Sequence, residues 1–508
     1  MIIRDDGDEL LADLALYAED GTPLGRLTGF RAADVEKASA TVSRATVDSW
    51  LAVPAWTDLP LPEDAEAPAG PGGDWLLFTD GDPGGVGAAF AALVTGLGHR
   101  CRTVTPAAAY TRNADGTAFT LAPDSADDLA RLFADLDADT GPFRGTVVHL
   151  GSLGLPPYEG CARETLRQAA GGGAWGLVAL AKVLQNRPAP GALHVVTRGA
   201  QPVTPGEAVE PLGAPAWGVT RVLRHQELTA HRGKLIDLDP AHDRSPAGAR
   251  AEAEALLREF RTEDEEEIGL RGTRRATSRL RPADDLTRPL PPRLRADGSY
   301  LVTGAFGALG RLLCRTLVKR GARHLVLMGR TPLPPRREWR RTDPATAQGR
   351  AVALLKELEA LGAHPVAAPV DVTDEAALTA WLEEYRQGDP PPLRGVFHLA
   401  GQVRDSRIAD LDRAAFDAVH DPKTVGAYLL DKHLRDEPLD HFVLFASVAS
   451  LLTTAGQTNY AAGNAFLDAL AHRRRAEGRP ALSLDWGPWA TGMIEELGLV
   501  EHYLHSRA

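Results

Sequence analysis

Short apolar runs alternate with longer amphipathic stretches twice along this chain. In the first series, Trp75–Phe78 leads through a glycine turn into an Ala/Val/Leu stretch and then RCRTVT. Further apolar runs fall at Gly145–Leu150, Leu193–Thr197 and Lys234–Leu238, with a helical pattern near Trp175–Gln185. The second series is cleaner. Ser299–Thr303 reads as a strand, Arg311–Arg320 as an amphipathic helix, His324–Met328 as a strand, Ala351–Ala360 as a helix and Val366–Val370 as a strand. EAALTAWLEE, Gly395–Gly401, DPKTVGAYLL, Phe442–Phe445 and an Ala-rich helix opened by Tyr460 continue it. Unbroken apolar runs between helical periods predict strands buried on both faces, hence α/β architecture with two doubly wound parallel sheets.

The punctuation divides the chain at residues 1–45, 46–284, 285–297 and 298–508. LADLALYAEDGTPLGRLTGF carries alternating Leu/Ala segments around Glu19-Asp20-Gly21-Thr22, a hairpin signature. A lone hairpin is marginal in water, so it is either the end of something larger or a ribbon on the next domain. Residues 56–74 are rich in Pro, Glu, Ala and Gly and read as an exposed linker or long loop. PADDLTRPLPPRLR, residues 282–295, excludes regular helix and reads as an extended boundary. The acidic run RTEDEEEI at 261–268 reads as a solvated helix end or loop.

Composition then narrows the function. The 508 residues exceed a single core and predict two or more domains. A net charge of −12 argues against nucleic acid or an anionic membrane surface as the main partner. Cys101, Cys161 and Cys314 form no CxxC pair, so neither a disulfide framework nor a metal site is expected. MIIRDDGDELLADL has no signal-peptide core and no apolar run reaches bilayer length, which predicts a soluble, cytoplasmic protein.

The chemistry gathers in the second series. Gly304, Gly307 and Gly310 lie between a strand and a helix, the context that makes a glycine pattern informative and the unit Rossmann-like. Gly304 permits the turn, Gly307 close approach of a pyrophosphate, and Gly310 helix-to-strand packing. The other glycine cluster, 81, 84, 85 and 87, is irregular and broken by Asp82-Pro83, which argues against a cofactor there. The next strand ends in Gly329-Arg330 with no acid beside it, and a guanidinium there suits a 2′-phosphate and so NADPH. Asp371 can accept from an adenine amino group, while Thr373 or Asp374 caps the following helix; both roles can hold together. Ala400-Gly401 leaves room for a ribose or nicotinamide, and His398 reads as structural. Lys423 stands at a predicted helix start and matters only if it points toward Tyr460. Ser447 at a strand end and Tyr460 at a helix start can meet over one pocket, as proton transfer to an oxygen requires. Asn464 follows Tyr460 on the same helix face. The bland alternative is a core tyrosine in an ordinary strand-loop-helix.

In order, LVTGAFGALG, LMGR, DVTD, GVFHLAG, DPKTVGAYLL, LFASVASLLTTAGQTNYAAGNAFLDALA and LDWGPW resemble the short-chain dehydrogenase/reductases. Within them they resemble the ketoreductase domain of modular type I polyketide synthases over about residues 48 to 500. Asn464 stands where most short-chain reductases carry lysine, and the lysine is Lys423, as in the synthase-borne enzymes. The resemblance implies a truncated structural subdomain before a catalytic one. It implies Tyr460, Ser447, Lys423 and Asn464 as the catalytic group. It implies NADPH held by Thr303, Gly304, Phe306, Gly307, Leu309, Gly310, Gly329, Arg330, Asp371, Val372, Ala400, Gly401, Lys423, Tyr460 and Pro488. The expected reaction reduces a β-ketoacyl chain on an acyl carrier protein, with neighbouring synthase domains as partners. The first 45 residues resemble the end of a dehydratase domain or a linker, and LDWGPWATGMIEELG, from Leu484, resembles the region of a flexible lid. Asp405 and Asn459 agree with the B-type pattern that gives D-hydroxy products. Val403, Arg404 and Ala455 depart from it, and Leu452 replaces the A-type tryptophan. A non-reducing or epimerase-only domain and a free-standing alcohol dehydrogenase are the competing readings.

Overall fold

The computed structural model describes residues 2–5, 9–17, 23–33, 49–62, 73–187, 191–243, 245–283 and 294–489. The Glu19–Thr22 turn, residues 63–72, most of the 282–295 boundary and the lid-like stretch after Trp489 lie outside them. The chain forms two compact units, residues 1–55 with 279–291, and residues 56–278 with 292–508. The first contains an antiparallel sheet in which Glu9–Tyr17 pairs with both Ile2–Asp5 and Pro23–Ala33. The hairpin is therefore present, with a third strand that the sequence pattern did not announce.

The larger unit holds the sites. Its second half is a six-stranded parallel sheet ordered His364–Ala368, His324–Met328, Ser299–Thr303, Leu393–His398, His441–Ser447, Leu482–Trp486. In chain order this is 3-2-1-4-5-6, which reverses direction between Ser299–Thr303 and Leu393–His398. A crevice opens at such a switch point, beyond the strand C-termini. The His364–Ala368 strand starts two residues before the expected Val366 because it is an edge strand with alternating exposure, not a buried run.

The first half carries a ten-stranded sheet whose parallel centre includes Asp74–Phe78, Arg100–Pro106, Thr146–His149, Leu193–Arg198 and Arg232–Leu238. Two expectations hold only in part here. The first three residues of the expected linker, 56–58, belong to the strand Ala52–Asp58, and Trp56 packs edge-on against the buried Trp217, ring centroids 6.0 Å apart. The acidic run at 261–268 is a loop after the Pro246–Glu259 helix, as expected, through residue 266, but its acids are not left to solvent alone. Glu267 opens a strand, Glu267–Arg271, that pairs antiparallel with Arg274–Pro282. Its acids meet cations: Asp264 binds Lys234 and Arg275, and Glu267 binds Arg221. A charge count along the sequence cannot anticipate partners that the sheet supplies. At the irregular glycine turn, the Asp82 carboxylate accepts from the Gly84 amide (2.9 Å), occupying a donor that a phosphate would need.

The halves share cores. Trp175 and Phe416 rings lie 5.4 Å apart, and Tyr158 donates to Asp431 at 3.0 Å. The Ala214–Val222 helix packs on the Thr458–Ala476 helix at Gly218, where an added Cβ would sit 2.4 Å from the Ala461 carbonyl oxygen. Only glycine allows that approach, one residue from Tyr460.

Candidate active site

At Gly304 the chain turns with φ of 65°, and a Cβ there would lie 2.9 Å from the Leu399 carbonyl carbon. Gly310 closes the loop, since its Cβ would collide with the Gly304 carbonyl oxygen at 2.3 Å. Between them Gly307 is exposed and immediately precedes the Ala308–Lys319 helix. Phe306 lies against Gly329, and Leu309 is half-buried. Arg330 is exposed and has no ion pair among the described residues. Asp371 accepts both the amide and the hydroxyl of Thr373, at 2.9 and 2.8 Å, through one carboxylate oxygen. Asp374 caps the next helix, accepting from Ala377 at 3.1 Å, so capping falls to Asp374 rather than Thr373. An open glycine turn at a helix N-terminus beside an unpaired guanidinium fits a dinucleotide bearing a 2′-phosphate.

Behind the crevice a buried chain of hydrogen bonds fixes the turn at Ala400-Gly401. His398 Nε2 donates to the Pro422 carbonyl (3.0 Å), so Nδ1 accepts from Thr303 Oγ1 (2.8 Å). That hydroxyl accepts the Leu399 and Ala400 amides, both at 3.1 Å. Burial pushes the His398 imidazole down to about 3, so it stays neutral and acts as a brace, as its sequence context suggests. Thr303 braces too, because its buried hydroxyl is fully engaged by His398 and the Leu399 and Ala400 amides.

Lys423 is not at a helix start. The helix runs Arg413–His433 with Pro422 inside it and Asp412 as N-cap. Proline removes the donor for the Ala418 carbonyl, and Gln402 Nε2 supplies one at 2.6 Å. A side chain outside the helix makes the interior proline tolerable, which no local rule reveals. Lys423 is thereby buried, with Nζ donating to the Phe445 carbonyl (3.1 Å) and lying 5.1 Å from the Tyr460 ring centroid. A Cβ on Gly401 would press on Lys423 Cε at 3.3 Å. Val372 packs on Gly426 of the same helix.

Burial pushes the Tyr460 phenol up, while Ser447 and Asn464, lying against it, pull it back down. Ser447 Oγ accepts from the Ala449 amide (3.2 Å) and donates toward the Trp486 carbonyl (3.4 Å). Asn464 is fully buried, donates to the Tyr460 carbonyl (2.8 Å), and leaves its Oδ1 without a protein partner. The structure thus brings together the four side chains singled out in the sequence. Burial lowers Lys423 to about 8, opposed by the nearby carboxylates of Asp468 and Asp485. Both carboxylates are themselves raised by burial. Asp468 is held by Ser450 (2.9 Å) and Ser483 (2.5 Å). The sequence reading missed this acid pair, although an aspartate inside the apolar helix stretch FLDALA and another in the strand LSLDW were visible signals.

The loop after Gly401 is sewn to the loop before Tyr460. Gln457 Nε2 donates to both oxygens of Asp405 (3.3 and 3.2 Å). Asn459 donates to the Arg404 carbonyl (3.1 Å) and accepts from the Tyr460 amide (2.8 Å). Leu452, 59% exposed, and Pro488, exposed, border this region in sequence. No helix among the described residues is long and apolar enough to cross a membrane.

A family model described as KR domain matches residues 298–491. The chain is 38% identical over 315 residues to the spectinabilin polyketide synthase system protein NorA' of Streptomyces orinoci, covering 62% of this chain and 8% of that protein. It is 37% identical over 300 residues to erythronolide synthase EryA3 of Saccharopolyspora erythraea, covering 59% of this chain and 9% of that protein. Among solved structures, an A1-type ketoreductase superposes with a TM-score of 0.69 at 30% identity, covering 90% of this chain and 87% of that one. A C2-type ketoreductase from a modular polyketide synthase gives 0.68 at 29%, covering 90% and 88%.

Proposed function

Because this chain belongs to the ketoreductases of modular polyketide synthases, we propose that it reduces a β-ketoacyl thioester, borne on an acyl carrier protein, to the D-3-hydroxyacyl thioester with NADPH. The observation that carries this reading is the meeting of Ser447, Tyr460 and buried Lys423 beside the Gly304–Gly310 turn. A reduced nicotinamide bound there supplies hydride to the carbonyl carbon. Gly304, Gly307 and the first turn of the Ala308–Lys319 helix hold its phosphates, Arg330 the 2′-phosphate and Asp371 the adenine. Ser447 donates to the carbonyl oxygen and Tyr460 gives that oxygen a proton as charge develops. The Lys423 ammonium makes the phenol a readier acid and steadies the phenolate left behind. The acyl carrier protein delivers the chain, and neighbouring synthase domains make and consume it.

The test mixes the protein with NADPH and a β-ketoacyl thioester and follows loss of the reduced-nicotinamide absorbance. Turnover that needs the β-keto group is expected, and its absence would refute the reading. Chiral analysis of the product decides the hydroxyl configuration. The D assignment rests on Asp405 and Asn459, and an L product overturns it. Arg330→Ala should raise the KM for NADPH about tenfold or more and leave that for NADH nearly unchanged, since only the former carries the extra phosphate. Equal effects on both cofactors would remove Arg330 from the cofactor site.

A further inference from the structure

The two loops that border Ser447 and Tyr460 are held from the other half of the molecule. The Ala214–Val222 helix ends in a π-helical turn, Leu223–Glu227. Such turns push one residue out of the α-helical register and recur at functional positions. The last residue of this turn is Glu227, which is half-buried. One carboxylate oxygen accepts the Ile408 amide and the other the Gly456 amide, both at 2.7 Å. Ile408 follows Asp405 in the loop between Gly401 and the Arg413–His433 helix. Gly456 lies in the loop between Ser447 and Tyr460 and has φ of 84°. The two loops also meet directly, the Ser406 amide donating to the Gly456 carbonyl at 2.8 Å. Arg221, one turn earlier, donates to the Ser450 carbonyl at 2.7 Å.

We propose that Glu227 is a positioning residue for the reduction: by pinning the Asp405 loop and the Gly456 loop at a fixed separation, it sets how the β-ketoacyl chain lies against Ser447 and Tyr460, and so which face of the carbonyl is reduced. The proposal rests on the ketoreductase reading. Its physical basis is that a carboxylate is the one side chain with two equivalent acceptors in a single plane. Two main-chain amides from segments far apart in sequence are thus held by one rigid group. Nothing in the non-catalytic half needs to touch substrate for it to govern specificity.

The test is Glu227→Gln, compared with Glu252→Gln, which weakens the ion pair of Glu252 with Arg198 away from both loops. Glutamine keeps the shape but sets an amide donor against one of the two amides, so one bond is lost. Amide hydrogen exchange at Ile408 and Gly456 should accelerate in E227Q and not in E252Q. In turnover, E227Q should raise the KM for the β-ketoacyl thioester, lower kcat/KM about tenfold, leave the KM for NADPH unchanged and erode the stereoisomer ratio of the product. E252Q should alter none of these. Unchanged exchange, or an unchanged stereoisomer ratio in E227Q, overturns the proposal. Should E227Q fail to fold, Glu227→Asp keeps both acceptors but withdraws them by one methylene, and the same exchange and product measurements apply. If the wild-type protein turns over no β-ketoacyl thioester, the ketoreductase reading fails, while the exchange measurement still decides whether Glu227 pins the loops.

Discussion

Tyr460→Phe should lower the reduction rate by about a thousandfold, within the range that loss of a positioned general acid produces. The fold should stay as it is, and NADPH, held mainly by Gly304, Gly307, Arg330 and Asp371, should still bind. Phenylalanine fills the same space on the Thr458–Ala476 helix, and Tyr460's backbone bonds to Asn459 and Asn464 do not involve the hydroxyl. The loss therefore isolates one proton. Fluorescence titration with NADPH and a thermal melt measure the two properties expected to survive. Single-turnover reduction measures the one expected to vanish. A variant that still reduces at more than about a tenth of the wild-type rate would place the acid elsewhere.

Lys423→Met should abolish most activity and yet leave the protein as stable as the wild type at pH 7, or more so. The ammonium is buried, and burial brings its pKa to about 8 from the ordinary lysine value. The unfolded chain, titrating near 10.4, binds more protons than the folded one between those two pH values. Stability should therefore rise as pH rises from about 8 toward 10, and below 8 the folded state carries the whole penalty, about 3 kcal/mol. Methionine keeps the stem and removes the charge. Activity runs the other way: reduction requires the ammonium, so the rate should fall as pH climbs through about 8. Burial keeps the phenol protonated over that range, so Tyr460 should not limit it. Thermal melts across pH, set beside a pH–rate profile, check both halves. A lower melting temperature for the methionine variant at pH 7 would mean that Lys423 is a structural cation held by Asp468 and Asp485.

Much of this was legible in the sequence because it depends on local signals. Ser299–Thr303 and His324–Met328 stand as read, being central parallel strands buried on both faces. The glycine turn was legible because strand, turn and helix are contiguous. What escaped depends on partners distant in sequence. Pro422 looked like a helix start because the donor that excuses it, Gln402, belongs to another loop. The acids at 264–267 looked solvated because Lys234, Arg275 and Arg221 come from other elements. Trp56 looked like linker because its neighbour Trp217 lies far along the chain. Glu227 carried no signal at all, since its ligands are main-chain amides that any residues would provide.

The contact at Gly218 bears on how such enzymes can be recombined. A crossover in the proline-rich stretch at 282–295 looks attractive, because it falls between two sheets. It would nevertheless pair a foreign Ala214–Val222 helix with the native Thr458–Ala476 helix, where backbone meets backbone and one extra methyl has no room. A donor sequence with alanine at the Gly218 position would shift the helix that carries Tyr460. A synthase chimera should therefore take the Ala214–Val222 and Thr458–Ala476 helices from the same parent.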